Sequence, residues 1–149
     1  MVIDVSHLSD KGLSDLLKIA RRPFIATHSN SRTVCGHMRN LPDEYIREII
    51  KRGGLIGINY FKEFLVSQDN GSSRVCLDSI AAHIEYILNL GGENAVALGS
   101  DYDGAEVPEV IDGIDRIGNL FTYLEKRFGN ALTEKIFFDN AINFFRTNF

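Results

Sequence analysis

The chain has 149 residues, 44% apolar and 24% charged, with a formal net charge of −4. That length supports one domain with its own core, and an acidic balance without a Lys/Arg cluster argues against nucleic acid as a partner. No apolar run approaches the ~20 residues of a membrane span, and no basic-then-apolar leader opens the sequence, so a cytoplasmic location is expected.

The first apolar run, Val2–Val5, stops on Ser6-His7. Ser9–Ala20 then places Leu13, Leu16, Leu17 and Ala20 at helical spacing. A second run, Pro23–Ala26, stops on Thr27-His28. Pro42–Arg52 reads as a helix with Tyr45, Ile46, Ile49 and Ile50 on one face; Asp43 and Glu44 suit its first turn. Gly53-Gly54 ends it before a third run, Leu55–Ile58, followed by Asn59. Leu77–Leu90 is a further helix, stopped by Gly91-Gly92. The fourth run, Ala95–Leu98, leads to Ser100-Asp101. Ile117–Phe128 and Leu132–Phe145 complete the chain as two helices.

None of the four runs alternates between apolar and polar residues. Continuous apolar strands are those covered on both faces, as in parallel sheets. Strand–helix alternation repeated in this way predicts right-handed crossovers in an α/β fold. An open doubly wound sheet and part of a (β/α)₈ barrel both fit, but no G-x-G-x-x-G follows a strand. A complete barrel takes ~250 residues and eight units, so four β/α units make about half of one. The expectation is a single partial domain over 1–149, with the half barrel at 1–112 and C-terminal helices at 113–149.

Every run ends in a side chain that can act as a ligand: His7, His28, Asn59 and Asp101. Active sites of β/α barrels lie at that end of the strands, and two imidazoles with a carboxylate suit zinc. Each histidine alone reads most simply as a hydrogen-bonded structural residue. Two of them plus an aspartate at equivalent positions leave both readings open. Asp4, inside the first run, is either a buried carboxylate with a partner or an orienter of a ligand, and the structural role is the plainer. His83 reads as core, His37 as a loop residue, and Cys35 and Cys76 as reduced thiols. The guanidinium of Arg39 suits a substrate carboxylate, although on residue type alone a surface arginine is the plainer reading.

The stretches IDVSH at 3–7, ATHSNSRTVCGHMRNLPDE at 26–44, GGLIGINY at 53–60 and ALGSDYDG at 97–104 resemble the renal (membrane) dipeptidases, metal-dependent enzymes of the amidohydrolase superfamily. The two histidines stand 21 residues apart, the interval of that family's metal-binding pair. The resemblance implies a (β/α)₈ barrel with two zinc ions and a dipeptide substrate. It makes His7 and His28 metal ligands and Asp101 the catalytic proton carrier. Arg39 would hold the substrate carboxylate, with Asn40 and Asn59 supporting the substrate-binding side. The family's H-x-D pair and bridging glutamate belong to the first half of the barrel and are not matched here. The chain starts where the fifth strand would start, so Met1 is expected to be internal. Association with a second copy, or with a chain carrying the missing half, is expected from the open sheet edges. A non-catalytic half barrel serving assembly or metal binding is the alternative. SDYDG also resembles the nucleophile loop of haloacid-dehalogenase-type phosphatases, through Asp101 and Asp103. That loop normally opens a domain, however, and Ala105 stands where a Thr is usual.

Overall fold

The computed structural model describes residues 1–66 and 76–149. Three parallel strands, β1 (Ile25–Ala26), β2 (Leu55–Asn59) and β3 (Val96–Ser100), lie in the order β1-β2-β3. Helices α1 (Asp10–Ile19), α2 (Asp43–Lys51) and α4 (Leu77–Asn89) precede them in turn, with a short α3 (Lys62–Leu65) after β2. Ser9 caps α1 by accepting from Gly12 N at 3.2 Å, and Asp10 and Lys18 lie at the ends their charges favour.

The first run forms no strand, which corrects the expectation of four. It makes one parallel bridge, Asp4 beside Ile25. Val5 N donates to Ile25 O at 2.8 Å and Ile25 N to Ile3 O at 3.0 Å, and there the ladder stops. The cause is Asp4. Its Oδ1 accepts the next two backbone N–H groups, Ser6 N at 3.1 Å and Thr27 N at 2.9 Å. For Thr27 N, the carboxylate has replaced the Val5 carbonyl that would have continued the pairing.

The tail also departs from expectation. After α5 (Ile117–Phe128) the helix expected at Leu132–Phe145 runs from Asn130 to Asn148 with a π turn in it. It divides into α6 (Asn130–Glu134), the π turn Lys135–Asp139 and α7 (Asn140–Asn148). The extra residue of a π turn rotates the helix beyond it. Here it brings Asn140 inward, where Nδ2 donates to Glu93 O (2.9 Å) and Val96 O (2.8 Å) at the start of β3.

Strand periodicity assigns the two faces of the sheet. Ile56, Ile58 and Val96 on one face pack into the main core with Leu13, Ile46, Ile49, Ile80, Ile84, Ile87, Leu120 and Leu124. The opposite face carries a smaller cluster, Ile25, Leu55, Ala97 and Phe144. A cavity of about 240 Å³ opens over that face, lined in part by Gly57, Gly99 and Phe145. Among the described residues no helix is long and apolar enough to cross a membrane.

His83 on α4 is fully buried, as its neighbours suggest. Nδ1 accepts from Ser31 N at 3.2 Å, so Nε2 is the protonated nitrogen and donates to Leu65 O at 3.2 Å. The ring ties α4 to the loop after β1 and to α3. Burial pushes its pKa from 6.5 down to about 4, partly opposed by the bond to Leu65. The unfolded chain therefore binds a proton below pH 6.5 that the folded chain refuses until about pH 4. The stabilisation is complete above 6.5 and declines as pH falls through that window. Urea unfolding at pH 7.5 and 4.5 should show a loss on the order of 2 to 3 kcal/mol from this residue. The loss should vanish in His83→Gln; an unchanged pH slope in the variant would exclude His83 as its source.

Candidate metal centre

The site forms where the chain leaves its parallel ladder. His7 follows the Asp4 bridge on a turn closed by Leu8 N to Val5 O (3.0 Å), and His28 follows β1. The two rings meet with centroids 4.9 Å apart, tilted by 58°. Their Nε2 atoms are 2.9 Å apart. Nitrogens bound at ~2.0–2.1 Å to one tetrahedral zinc stand roughly 3.3 Å apart. A widening of a few tenths of an ångström therefore lets both rings share an ion. Burial lowers the pKa of His28; Asp101 and Asp4 oppose this, and His7 and Arg39 add to it. The net effect favours the neutral ring, which is the form a metal takes.

Two imidazoles do not complete a centre. Among the described residues no group of three or more His, Cys, Asp or Glu could hold a metal ion. Three protein ligands are usual at a catalytic zinc. The donor chemistry of the pair fits the metal, and further ligands would have to come from outside the described residues.

The polar residues behind the pair are ordered in layers. Asp4 is solvent-accessible rather than buried as expected, yet both of its oxygens are engaged: Oδ1 by two backbone N–H groups and Oδ2 by Thr27 Oγ1 at 2.6 Å. Desolvation opposes ionisation of Asp4, but these hydrogen bonds outweigh it and lower its pKa. Thr27 Oγ1 also lies 2.8 Å from His28 Nδ1, and Ser6 Oγ accepts from His28 N at 2.9 Å.

Arg39 stands on the other side of His7. Its guanidinium donates to Ser6 O, covers the Phe64 ring at 5.7 Å and brings Nη2 to 3.5 Å from His7 Nε2. His37 lies behind it, its ring 4.5 Å from Phe64 and its Nδ1 accepting Arg39 N at 3.2 Å.

Asn40 and Asn59 are both buried and directed inward. Asn40 Nδ2 donates to Cys35 O (2.8 Å) and Phe64 O (2.9 Å), which closes the loop carrying Arg39. Asn59 Oδ1 accepts Phe61 N at 2.6 Å, and its Nδ2 donates to Asp101 Oδ2 at 3.0 Å. Asn30, which residue type alone did not single out, holds Asn59 in turn: Oδ1 accepts Asn59 N (2.9 Å) and Nδ2 donates to Asn59 O (3.0 Å). Its position directly after T-H-S, just past a strand end, was the available signal.

Asp101 sits on strained backbone. Ser100 and Asp101 have φ of 42° and 73°, and exposed Asp103 has 64°. Left-handed conformations cost a non-glycine residue roughly 1–2 kcal/mol each. Such outliers gather where function demands a particular side-chain direction. A Cβ on Gly104 would lie 2.7 Å from Asp101 Oδ1, so the glycine leaves that oxygen room.

Two more glycines form the floor of the site. A Cβ on Gly57 would lie 2.1 Å from Thr27 O, and one on Gly99 2.2 Å from the same atom. The Thr27 carbonyl lies directly against both strands at these positions, which only hydrogen side chains permit.

The family model for membrane dipeptidase (peptidase family M19) matches residues 1–148. An uncharacterized protein of Klebsiella pneumoniae, from the pqqA 5′ region, is 39% identical over 124 residues, covering 83% of this chain and 46% of that protein. An uncharacterized dipeptidase of Schizosaccharomyces pombe is 31% identical over 137 residues, covering 91% of this chain and 32% of that one. A metallopeptidase of Rhodobacter sphaeroides, solved with a phosphinate mimic of the dipeptide L-Ala-D-Ala, superposes with a TM-score of 0.91 at 28% identity, over 98% of this chain and 42% of that one. The chain thus spans 32 to 46% of the length of these relatives.

Gly99→Ala should lower stability by about 2 kcal/mol or more, because the obstacle is backbone rather than a mobile side chain. Gly118→Ala, where nothing lies within 4 Å, is the control and should melt at or slightly above the parent temperature. Equal melting of both variants would refute the close approach.

Proposed function

The chain belongs to the membrane dipeptidase family, and from that premise we propose that it is the C-terminal half of a (β/α)₈ zinc dipeptidase domain. On this reading it hydrolyses dipeptides once the remaining ligands are supplied. The observation that carries the proposal is the pair of Nε2 atoms at 2.9 Å, with Arg39 Nη2 3.5 Å from that of His7.

His7 and His28 would hold zinc through Nε2. When bound, the metal supplies Lewis acidity and a nucleophilic water at neutral pH. The chain's own residues do the rest. Arg39 turns from Ser6 O toward the free carboxylate of the dipeptide, which fixes the bond presented for attack. Asp101 Oδ2 is anchored by Asn59, and Oδ1 takes the proton of the attacking water and returns it to the departing amine nitrogen. Asn40 keeps the Arg39 loop closed. The membrane dipeptidase family sets aside the phosphatase reading of Asp101 and Asp103.

On this reading the remaining ligands come from a separate N-terminal half. Ile25, Leu55 and Ala97 on the inner face are buried against Phe144 of α7, so such a half would meet the cavity beside them rather than a bare apolar patch. The edges beyond β3 and the Val2–Val5 run are where its strands would pair. A second copy of this chain is the other candidate for that surface. A non-catalytic, metal-binding or assembly role is the second reading, favoured by the absence of a three-ligand group among the described residues.

Zinc-loaded chain co-expressed with an N-terminal half carrying H-x-D and a glutamate should cleave Ala-Ala, and the lone chain should not. His28→Ala should abolish zinc retention and turnover together. Arg39→Ala should lower kcat/KM about 10–100-fold, mainly through KM. A complemented, metal-loaded complex without hydrolysis would leave the non-catalytic reading in place.

A further inference from the structure

We propose that Asp4 and Thr27 are positioning residues that set the tautomer of His28, placing its single ring proton on Nδ1 and leaving Nε2 bare toward the mouth of the site. The proposal rests on His28 being a metal ligand, but its central claim concerns the metal-free chain.

The protons around Thr27 Oγ1 can be counted. Asp4 Oδ1 receives two backbone N–H groups, from Ser6 at 3.1 Å and Thr27 at 2.9 Å. Both are obligate donors, so their direction is fixed. Asp4 Oδ2 lies 2.6 Å from Thr27 Oγ1, and an ionised carboxylate only accepts. The one hydroxyl proton of Thr27 therefore goes to Asp4. Toward His28 Nδ1, 2.8 Å away, Thr27 Oγ1 has only lone pairs to offer. The contact is a hydrogen bond only if Nδ1 carries the proton. A neutral imidazole has one such proton, so His28 Nε2 has none.

The rest of the cluster agrees. Ser6 Oγ accepts His28 N at 2.9 Å and lies 3.4 Å from Thr27 Oγ1, whose second lone pair is open to the Ser6 hydroxyl proton. Because His28 Nε2 is an acceptor, His7 Nε2 at 2.9 Å must be the donor. Arg39 Nη2 then faces an N–H rather than a lone pair, in keeping with its separation of 3.5 Å. The two histidines are therefore unlike. His28 is held ready for a metal, whereas His7 would have to shift its ring proton from Nε2 to Nδ1 to offer the same lone pair.

Asp4→Asn is the informative variant, because it preserves shape and reverses the chain of bonds. The two backbone N–H groups hold the amide oxygen at the Oδ1 position, so the amide nitrogen must face Thr27 Oγ1 and donate to it. The Thr27 proton is then released toward His28 Nδ1, which becomes an acceptor, and the ring proton moves to Nε2. Long-range ¹⁵N–¹H correlation spectra of the metal-free full chain read each histidine directly. The expected results are Nδ1–H for His28 and Nε2–H for His7 in the parent, and Nε2–H for His28 in Asp4→Asn. Titration with Zn²⁺ alone should show affinity falling about 10–100-fold in Asp4→Asn and in Thr27→Val, with recovery in Thr27→Ser. A circular-dichroism melt within a few degrees of the parent would separate this effect from misfolding, and Thr27→Val with its rescue covers the case in which Asp4→Asn fails to fold. Nε2–H on His28 in the parent, or an unchanged tautomer in both variants, would overturn the proposal. The expected tautomers without measurable Zn²⁺ binding by any form would uphold the proton arrangement and overturn the metal reading instead.

Discussion

Asp4 Oδ1 accepts two backbone N–H groups, those of Ser6 and Thr27, and the second is one that a continuing parallel ladder would have given to the Val5 carbonyl. This substitution ends the pairing of the Val2–Val5 run and β1 at the same level. Both chains turn there, and both turns deliver a histidine to one mouth. Had the ladder run on by two residues, His7 and His28 would have been paired strand residues, directed by the pleat rather than by their turns. The carboxylate is thus part of the fold and of the site at once. Its own ionisation is favoured because the groups facing it are all donors.

Much of this was legible in the sequence. The helical faces of Leu13, Ile46, Ile49, Ile80 and Ile84 follow from 3.6-residue spacing, and the three strands lie within or beside unbroken apolar runs. The polar residues that end the runs include two pairs that the fold brings together, His7 with His28 and Asn59 with Asp101. The features that stayed hidden depended on contacts distant in sequence. Asp4 in an apolar run resembles a buried charge, and only Thr27, 23 positions away, reveals it as a strand terminator. Asn59 at the end of β2 resembles a residue that could face substrate, but its amide is committed to Phe61 N and Asp101. Gly57 and Gly99 look like ordinary loop or strand glycines until the Thr27 carbonyl is seen lying over both.

The site is also built with two different kinds of stiffness. Around His28, order comes from hydrogen bonds among Asp4, Ser6 and Thr27, each with a proton donor and acceptor in sequence. Around Asp101, order comes from strained backbone at Ser100 and Asp101, held by the buried amides of Asn59 and Asn30. The proton-carrying role proposed for Asp101 suits the second arrangement, because one carboxylate oxygen is anchored by Asn59. The ion-holding role proposed for His28 suits the first, because its lone pair must be both aimed and bare.

The π turn at Lys135–Asp139 restricts how the tail can change length. Removing one residue there would let the segment relax into a regular helix with better local geometry, yet it would swing Asn140 about 100° around the axis. The carbonyls of Glu93 and Val96 would then lose the amide that serves them both. Local relaxation and long-range fit are in conflict at this position, so drift in chain length is expected to be accommodated beyond Asn148 rather than before Asn140.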